Sequence, residues 1–262
     1  MNAPNPEIAA TESLLAFWRD AGVDACFEAA PVDRTFVPAP VEQKATLKAV
    51  ASVSASTDIG GAVAEARRLA AGAGDLDALK DAIAAFTGCP LRDMGASQAV
   101  FARGDPGAPV LVIGEAPGTE EDAQGAPFVG RAGKLLDRML GAAGLLDKAF
   151  ITNTVFWHPP GNRSPTPQEQ VVCAPFLERA FALLQPKAVL LLGAAAARSV
   201  LKTDEGVMKV RGQWREWRLN EGGVAAPVMP TLHPAFLLRQ PMAKRMAWAD
   251  VLELAAKLDA GN

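Results

Sequence analysis

The second part of the chain alternates short apolar runs with longer stretches in which apolar residues recur at helical spacing. The apolar runs occupy residues 110–113, 150–155, 188–192 and 228–232. The helical stretches occupy residues 133–144, 168–184, 194–201 and 242–258. Short runs dominated by apolar residues are typical of strands buried on both faces of a parallel sheet. The alternation therefore predicts an α/β fold in which helices cover a parallel sheet.

Residues 1–78 do not follow this alternation, and they are predicted to form a mostly helical N-terminal extension with irregular parts. Residues 14–27 have the spacing of one short amphipathic helix, which Pro31, Pro38 and Pro40 bring to an end. Helical spacing returns across residues 63–85. We place the boundary near residue 78, so that residues 79–262 form the α/β domain.

Composition supports a globular protein and excludes several classes. Half of the 262 residues are apolar, but no apolar run approaches the ~20 residues that span a bilayer. The N-terminus also lacks a signal peptide pattern, so we expect a soluble, cytoplasmic protein. The three cysteines Cys26, Cys89 and Cys173 are far apart, which argues against a disulfide framework or a self-contained zinc site.

The charge balance does not indicate a nucleic-acid partner for the molecule as a whole. Lys and Arg number 26 against 29 Asp and Glu, which gives a net charge of −3. The distribution is uneven, since residues 198–245 contain nine Lys and Arg against four Asp and Glu. A local basic face on the C-terminal part is compatible with this pattern.

A glycine-rich acidic loop follows the first predicted strand. Glu115, Glu120, Glu121 and Asp122 lie between Gly114 and the next predicted helix. Ligands of open α/β sheets bind at the carboxyl ends of the strands, so these carboxylates are candidates for acid/base chemistry. A solvated acidic turn would have the same composition.

Distinctive polar residues also follow two other strands. The second predicted strand runs into Asn153 and then into a proline-rich segment at residues 158–167, and His233-Pro234 follows the last strand. Because parallel strands end at one edge of the sheet, we expect these residues to share a site with Glu115.

Five segments resemble, in order, the motifs of family 4 uracil-DNA glycosylases. They are GEAPGTEED at 114–122, GAPFVGRAG at 125–133, ITNTVFWHPPGNRSPTPQE at 151–169, LLLGAAAARSVL at 190–201 and TLHPAFLLRQP at 231–241. The resemblance covers roughly residues 86–258. It implies a three-layer α/β/α sandwich with a central four-stranded parallel sheet, and an enzyme that excises uracil from DNA without a metal in the chemical step.

The resemblance assigns catalytic roles to three residues. His233 would donate to uracil O2 as the base departs as an anion. Glu115 would orient or deprotonate the attacking water, with Glu121 as the supporting carboxylate.

The base itself would be bound by four residues. Asn153 would pair with uracil N3–H and O4, which cytosine cannot match. Phe128 would stack on the base, and Gly114 and Ala116 belong to the same matched pocket. The residue that excludes thymine is not identified, since the chain contains no tyrosine.

DNA contacts are expected from two loops. Arg163 and Ser164 lie in the proline-rich segment, and Pro234 and Arg239 follow His233. The apolar residues between them suit a wedge that enters DNA, for which Leu237 is favoured and Phe236 is the alternative.

The chain departs from the family at the iron–sulfur cluster. Family 4 members bind a [4Fe–4S] cluster through four cysteines, and the matching positions here are Phe86, Cys89, Trp157 and Cys173. We therefore expect a protein without cofactor or metal. Residues 202–228 also contain no histidine, which argues against the covalent sugar trapping of some relatives.

Two functions remain open at this point. The first is a monofunctional, monomeric glycosylase that acts on uracil-containing DNA and yields free uracil and abasic-site DNA, with no membrane partner. The second is a DNA-binding protein of the same fold with weak or lost glycosylase activity.

Overall fold

The protein is described by a computed structural model over residues 58–219 and 223–260, which belong to one compact unit from Ser54 to Asn262. Within these residues one sheet contains the strands β1 Ala102–Gly104, β2 Val110–Gly114, β3 Ala149–Asn153, β4 Ala188–Leu192, β5 Arg215–Arg218 and β6 Ala225–Thr231. Their order across the sheet is β1-β3-β2-β4-β6-β5. The four central strands are parallel, and β1 and β5 pair antiparallel at the edges.

The central strands confirm the predicted parallel sheet. Every residue of β2, β3 and β4 is buried, as strands covered on both faces require. The sequence pattern does not predict the two edge strands. β1 has only three residues, and β5 exposes three of its four side chains, so neither produces an apolar run.

Helices lie on both faces of the sheet. They are α1 Ile59–Gly72, α2 Leu76–Ala85, α3 Thr119–Gln124, α4 Arg131–Ala142, α5 Pro167–Leu184, α6 Gly193–Leu201, α7 Val207–Val210, α8 Pro234–Arg239 and α9 Lys244–Ala260. Short 3₁₀ turns lie at Pro90–Met94, Leu146–Lys148, Pro160–Asn162 and Pro241–Ala243. The four predicted helices correspond to α4, α5, α6 and α9, with ends shifted by two residues or fewer.

Alternate residues of β2 belong to different core clusters. Leu111 and Ile113 pack in the cluster that contains Phe176 of α5. Val110 and Val112 pack in the cluster that contains Leu136 of α4. This alternation places the sheet between two helical layers, which confirms the α/β/α sandwich.

The first helical turn of α5 is fixed by a reciprocal pair of hydrogen bonds. The backbone N–H of Glu169 donates to Thr166 Oγ1 at 3.2 Å, and the N–H of Thr166 donates to Glu169 Oε2 at 2.8 Å. Pro167 lies at the start of the helix, where its missing N–H costs no hydrogen bond.

Helices α1 and α2 pack on α5 within the same compact unit. Ala66 and Leu79 are fully buried in the cluster of Phe176, and Arg179 of α5 donates two hydrogen bonds to the carbonyl oxygen of Ala73. The division into 1–78 and 79–262 stays a prediction, because residues 1–57 lie outside the described part of the chain. No helix of the described part is long and apolar enough to cross a membrane.

Candidate active site

The carboxyl ends of the central strands meet at one cavity. Gly114 at the end of β2 is in register with Asn153 at the end of β3, and His233 follows β6 by two residues. The cavity has a volume of about 250 Å³, and its walls include Glu115, Ala116, Glu121, Phe128, Arg163, Ser164 and His233. The structure thus brings the predicted catalytic residues together.

Asn153 is buried at this edge with an unpaired side chain. The residue is 1% exposed, and neither Oδ1 nor Nδ2 has a hydrogen-bond partner among the described residues. A buried amide without partners is costly, and such groups are rare outside functional sites. The side chain therefore offers one acceptor and one donor to a ligand.

Phe128 supplies an aromatic wall and has an unusual backbone conformation. Its φ of 56° lies in the left-handed region, which is unfavourable for an aromatic residue. The ring centroid lies 5.8 Å from that of His233. A Cβ on Gly114 would lie 2.4 Å from Phe128 Cζ and 2.5 Å from Asn153 Oδ1, so only glycine fits between the ring and the amide.

Glu115 combines a fixed main chain with an unpaired carboxylate oxygen. Its carbonyl accepts a hydrogen bond from Thr154 Oγ1 at 2.7 Å, whereas its buried Oε1 has no partner among the described residues. The carboxylate thus retains an acceptor for a bound water, which is the requirement for a general base.

Two other acidic residues of the loop, Glu121 and Asp122, accept hydrogen bonds from backbone N–H groups. Glu121 accepts hydrogen bonds from the N–H groups of Gly118 at 3.1 Å and Gly130 at 2.9 Å, and it closes the loop between them. Asp122 is 6% exposed and accepts from the N–H of Ser97 at 3.0 Å. The loop is therefore not a solvated turn, and sequence reasoning missed the structural role of Asp122.

His233 is held as a neutral imidazole at the start of α8. Burial lowers its pKa to about 4, and the positive charge of Arg239 adds to this effect. The backbone N–H of Ala235 donates to His233 Nδ1 at 3.1 Å. Because Nδ1 accepts, the single ring proton lies on Nε2, which becomes the hydrogen-bond donor.

A glycine in the sixth helix allows this position of His233. Gly193 has a φ of +88°, and a Cβ there would lie 2.9 Å from His233 Cβ. Gly193 lies within one of the matched motifs, but its contact with His233 depends on the approach of β4 to β6 and has no local signal.

The predicted DNA-contacting residues lie at the cavity or beside it. Arg163 donates to both carboxylate oxygens of Glu169, at 2.7 and 2.9 Å, so part of its role is to hold the proline-rich segment on α5. Ser164 lines the cavity, Pro234 is buried at the start of α8, and Arg239 is exposed.

The two candidate wedge residues differ in burial. Leu237 is fully buried, and it packs in a cluster with Leu135 and Leu232. A side chain in the core enters DNA only if α8 unpacks, so Leu237 as the wedge stays a prediction that requires such a change. Phe236, the alternative, is half-buried and remains available.

The four positions that match the cluster ligands lie together in the core. Cys89 and Cys173 are fully buried with their Sγ atoms 3.9 Å apart, and the rings of Phe86 and Trp157 lie 6.3 Å apart, centroid to centroid. Burial raises the pKa of the Cys173 thiol, which favours its protonated form. A [4Fe–4S] cluster needs four thiolates, and two aromatic rings supply none.

Beyond these two thiols, the described residues contain no group of three or more His, Cys, Asp or Glu side chains that could hold a metal ion. Cys26 lies outside the described part. The residues at the four matched positions do not fit the cluster.

The parallel sheet with helices on both faces, and the cavity at the carboxyl ends of its central strands, are the features of an α/β enzyme. The model of the Uracil DNA glycosylase superfamily matches residues 101–252. The chain belongs to this superfamily.

Three relatives are similar over most of the chain. The type-4 uracil-DNA glycosylase of Sulfurisphaera tokodaii is 35% identical over 181 residues, which are 67% of this chain and 81% of that protein. The enzyme of the same name from Thermotoga maritima is 36% identical over 63% of this chain and 83% of its own. That of Pyrobaculum aerophilum is 36% identical over 64% of this chain and 86% of its own.

Proposed function

We propose that the protein is a uracil-DNA glycosylase that extrudes uracil from DNA, hydrolyses its N-glycosidic bond and leaves free uracil and an abasic site. Membership of the superfamily makes it a hydrolase of N-glycosidic bonds. The observation that carries the choice of uracil is the buried amide of Asn153, whose acceptor and donor have no partner in the described residues.

This amide matches the edge of uracil. Asn153 Oδ1 accepts from N3–H of the base, and Nδ2 donates to O4. Cytosine has an acceptor at N3 and a donor at the exocyclic amine, so both contacts would be lost. Buried polar groups left unpaired cost much more than altered apolar contacts, which lets one side chain select the base.

The aromatic wall favours a base that has left the helical stack. Extruded nucleotides are held in enzyme pockets by stacking on aromatic side chains, and one such contact is worth ~1–3 kcal/mol. Phe128 provides this face, with Gly114 and Ala116 beside it.

His233 stabilises the leaving group. As the bond breaks, uracil departs with the bonding electrons and negative charge develops on O2. The neutral imidazole donates Nε2–H to this oxygen without transferring its proton, and a donor of this kind is typically worth ~2.7–4 kcal/mol. Its depressed pKa supports this role, because burial disfavours the cationic imidazole and so leaves the neutral form as the donor.

Glu115 completes the hydrolysis. The free carboxylate oxygen accepts a proton from the water whose oxygen bonds to the sugar C1′, and the negative charge favours the oxocarbenium-like sugar. Glu121 supports this step through the backbone, since it fixes the loop that carries Glu115.

The DNA strand is engaged around the cavity mouth. Arg239 is exposed beside His233, and its charge suits a phosphate contact. Phe236, half-buried on α8, is the residue that we assign to the space of the extruded nucleotide. Arg163 and Ser164 also line the cavity and are assigned to the same strand.

We propose that this chemistry proceeds without an iron–sulfur cluster. The buried rings of Phe86 and Trp157 fill the positions of two ligands, so apolar packing stabilises the region that a cluster would otherwise hold together. No step of the reaction above requires a metal.

Release of free uracil from a uracil-containing oligonucleotide tests this function. The full-length protein should release uracil and leave an intact strand that breaks only on later alkali treatment, as a monofunctional enzyme does. A thymine-mismatch oligonucleotide serves as the control and should yield no free base. Tight DNA binding with no base release would support the alternative of a binding protein that has lost activity.

A further inference from the structure

Phe128 needs an external support for its backbone. Its left-handed φ of 56° is unfavourable for any residue with a Cβ. Such conformations persist only where the surroundings enforce them, and they cluster at functional sites. The wall of the base pocket therefore depends on whatever holds the Pro127–Phe128 peptide.

Arg103 on edge strand β1 contacts this peptide on two carbonyl groups. Its Nε donates to the carbonyl oxygen of Pro127 at 2.8 Å, and its Nη2 donates to that of Phe128 at 3.3 Å. The same Nη2 lies 2.5 Å from Asp137 Oδ1 on α4. The guanidinium thus ties a strand, the loop and a helix together.

A glycine of α4 encloses the same carbonyl group. A Cβ on Gly133 would lie only 1.7 Å from the carbonyl oxygen of Phe128, so the helix backbone approaches as closely as a glycine permits. Because Arg103 also donates to this oxygen, the carbonyl group of Phe128 has little freedom to turn. The fixed backbone in turn sets the direction of the Phe128 ring.

Arg103 itself lies apart from the base pocket. It does not line the cavity that holds Glu115, Phe128 and His233, and it borders a second cavity with Asp137 and Asp147 instead. Its effect on a bound base must therefore pass through Phe128.

We infer that Arg103 is a positioning residue for base recognition, which acts by holding Phe128 in its left-handed conformation; this inference rests on the proposed glycosylase function. A planar guanidinium can donate to two carbonyls and one carboxylate at once, which the ammonium group of a lysine cannot reproduce with the same geometry. Asp137 neutralises the cation and orients it.

A double-mutant cycle tests the route through Phe128. Arg103→Met should lower single-turnover uracil excision about tenfold, the scale of a lost or misplaced stacking contact. In a Phe128→Ala background the same substitution should change the rate by less than about twofold, because the side chain that it positions is gone. Arg138→Met, which removes an exposed arginine from α4, the helix that carries Asp137, is the matched control and should have no effect in either background.

Two results would overturn the inference. One is an equal loss in both backgrounds, which would give Arg103 a merely structural role, and the other is no loss in either. If Arg103→Met does not fold, the milder Arg103→Lys enters the same cycle with the same criteria.

A crystal structure of the variant separates this inference from the proposed function. Without Arg103, the Phe128 ring should leave its position over Gly114, or φ of Phe128 should leave the left-handed region, whether or not the parent excises uracil. An unchanged Phe128 would refute the positioning role. Absence of uracil release by the parent protein would refute the proposed function alone.

Discussion

Asn153 lies beside Gly114 with its side-chain oxygen in the space that a Cβ of Gly114 would need, 2.5 Å from that atom. The two residues end neighbouring parallel strands in register. The missing side chain of Gly114 therefore leaves room for the amide of Asn153, and the same gap admits the ring of Phe128.

Gly114→Ala should abolish most uracil excision while the protein stays folded. The added methyl group must displace the amide or the ring, and a displacement of about 1 Å at a reacting centre costs on the order of 10²-fold in rate. Overpacking should also lower stability by ~1–3 kcal/mol. Single-turnover rates and thermal melting measure the two effects.

Gly74→Ala is the control for this substitution, because a Cβ at Gly74 would meet no atom within 4 Å. It should leave excision unchanged. Wild-type excision by the Gly114→Ala protein would show that the close approach of Asn153 and Phe128 does not matter for activity.

The depressed pKa of His233 predicts a pH dependence of stability. The folded state holds this imidazole neutral down to about pH 4, whereas the unfolded chain takes up a proton near its ordinary pKa of ~6.5. The unfolded state thus binds more protons between these values. The neutral His233 therefore contributes up to about 3 kcal/mol to the free energy of unfolding. This contribution is fully present above pH 6.5 and is lost as pH falls toward 4.

Two measurements check the His233 prediction. In an NMR titration the ring signals of His233 should shift with a midpoint near pH 4, with the signals of His158 assigned by a His158→Asn variant. The free energy of unfolding of a His233→Asn variant should depend less on pH between 4 and 6.5 than that of the parent. A midpoint near 6.5 would contradict the depressed pKa of His233.

Much of the fold and of the site follows from local sequence. Strands β2 and β4 are predictable because each is a continuous apolar run. The start of α5 is predictable because the capping box at Thr166 depends only on neighbouring residues. Asn153, Glu115 and His233 are predictable as a group because each lies at or just after the end of a buried strand, and the parallel strands end on one side of the sheet.

What the sequence does not reveal depends on contacts between distant residues. Edge strand β1 has no apolar run, and its Arg103 acquires a role only because the chain returns to it at Pro127 and Asp137. Leu237 and Phe236 are adjacent apolar residues, and only the folded structure shows that Leu237 is fully buried in a cluster against which Phe236 packs partly buried. The hydrogen bonds of Glu121 to Gly118 and Gly130 likewise require the folded loop.

Purified protein should contain no iron and should show no absorption band near ~400 nm, because two thiols cannot bind a [4Fe–4S] cluster. Cys89→Ser and Cys173→Ser should each lower the free energy of unfolding by about 0.5–3 kcal/mol, as an ordinary buried substitution does, and uracil excision should remain measurable. Stoichiometric iron and sulfide in anaerobically prepared protein would contradict this account.

The same geometry predicts a gain of cluster binding. A Phe86→Cys, Trp157→Cys double variant would bring four thiols to the matched positions around Cys89 and Cys173. Anaerobic reconstitution with iron and sulfide should then produce the absorption that the parent lacks. The parent protein, reconstituted in parallel, is the control.

The most direct test of the central claim is single-turnover excision from oligonucleotides that differ only in carrying uracil or cytosine at one position, with the parent protein and Asn153→Ala. The account predicts that the parent releases uracil and no cytosine. The variant should still fold and bind DNA, but it should release uracil more slowly than the parent by a factor of about 10² or more. Equal rates of uracil release by parent and variant would contradict it, because the buried amide would then have no part in recognising the base.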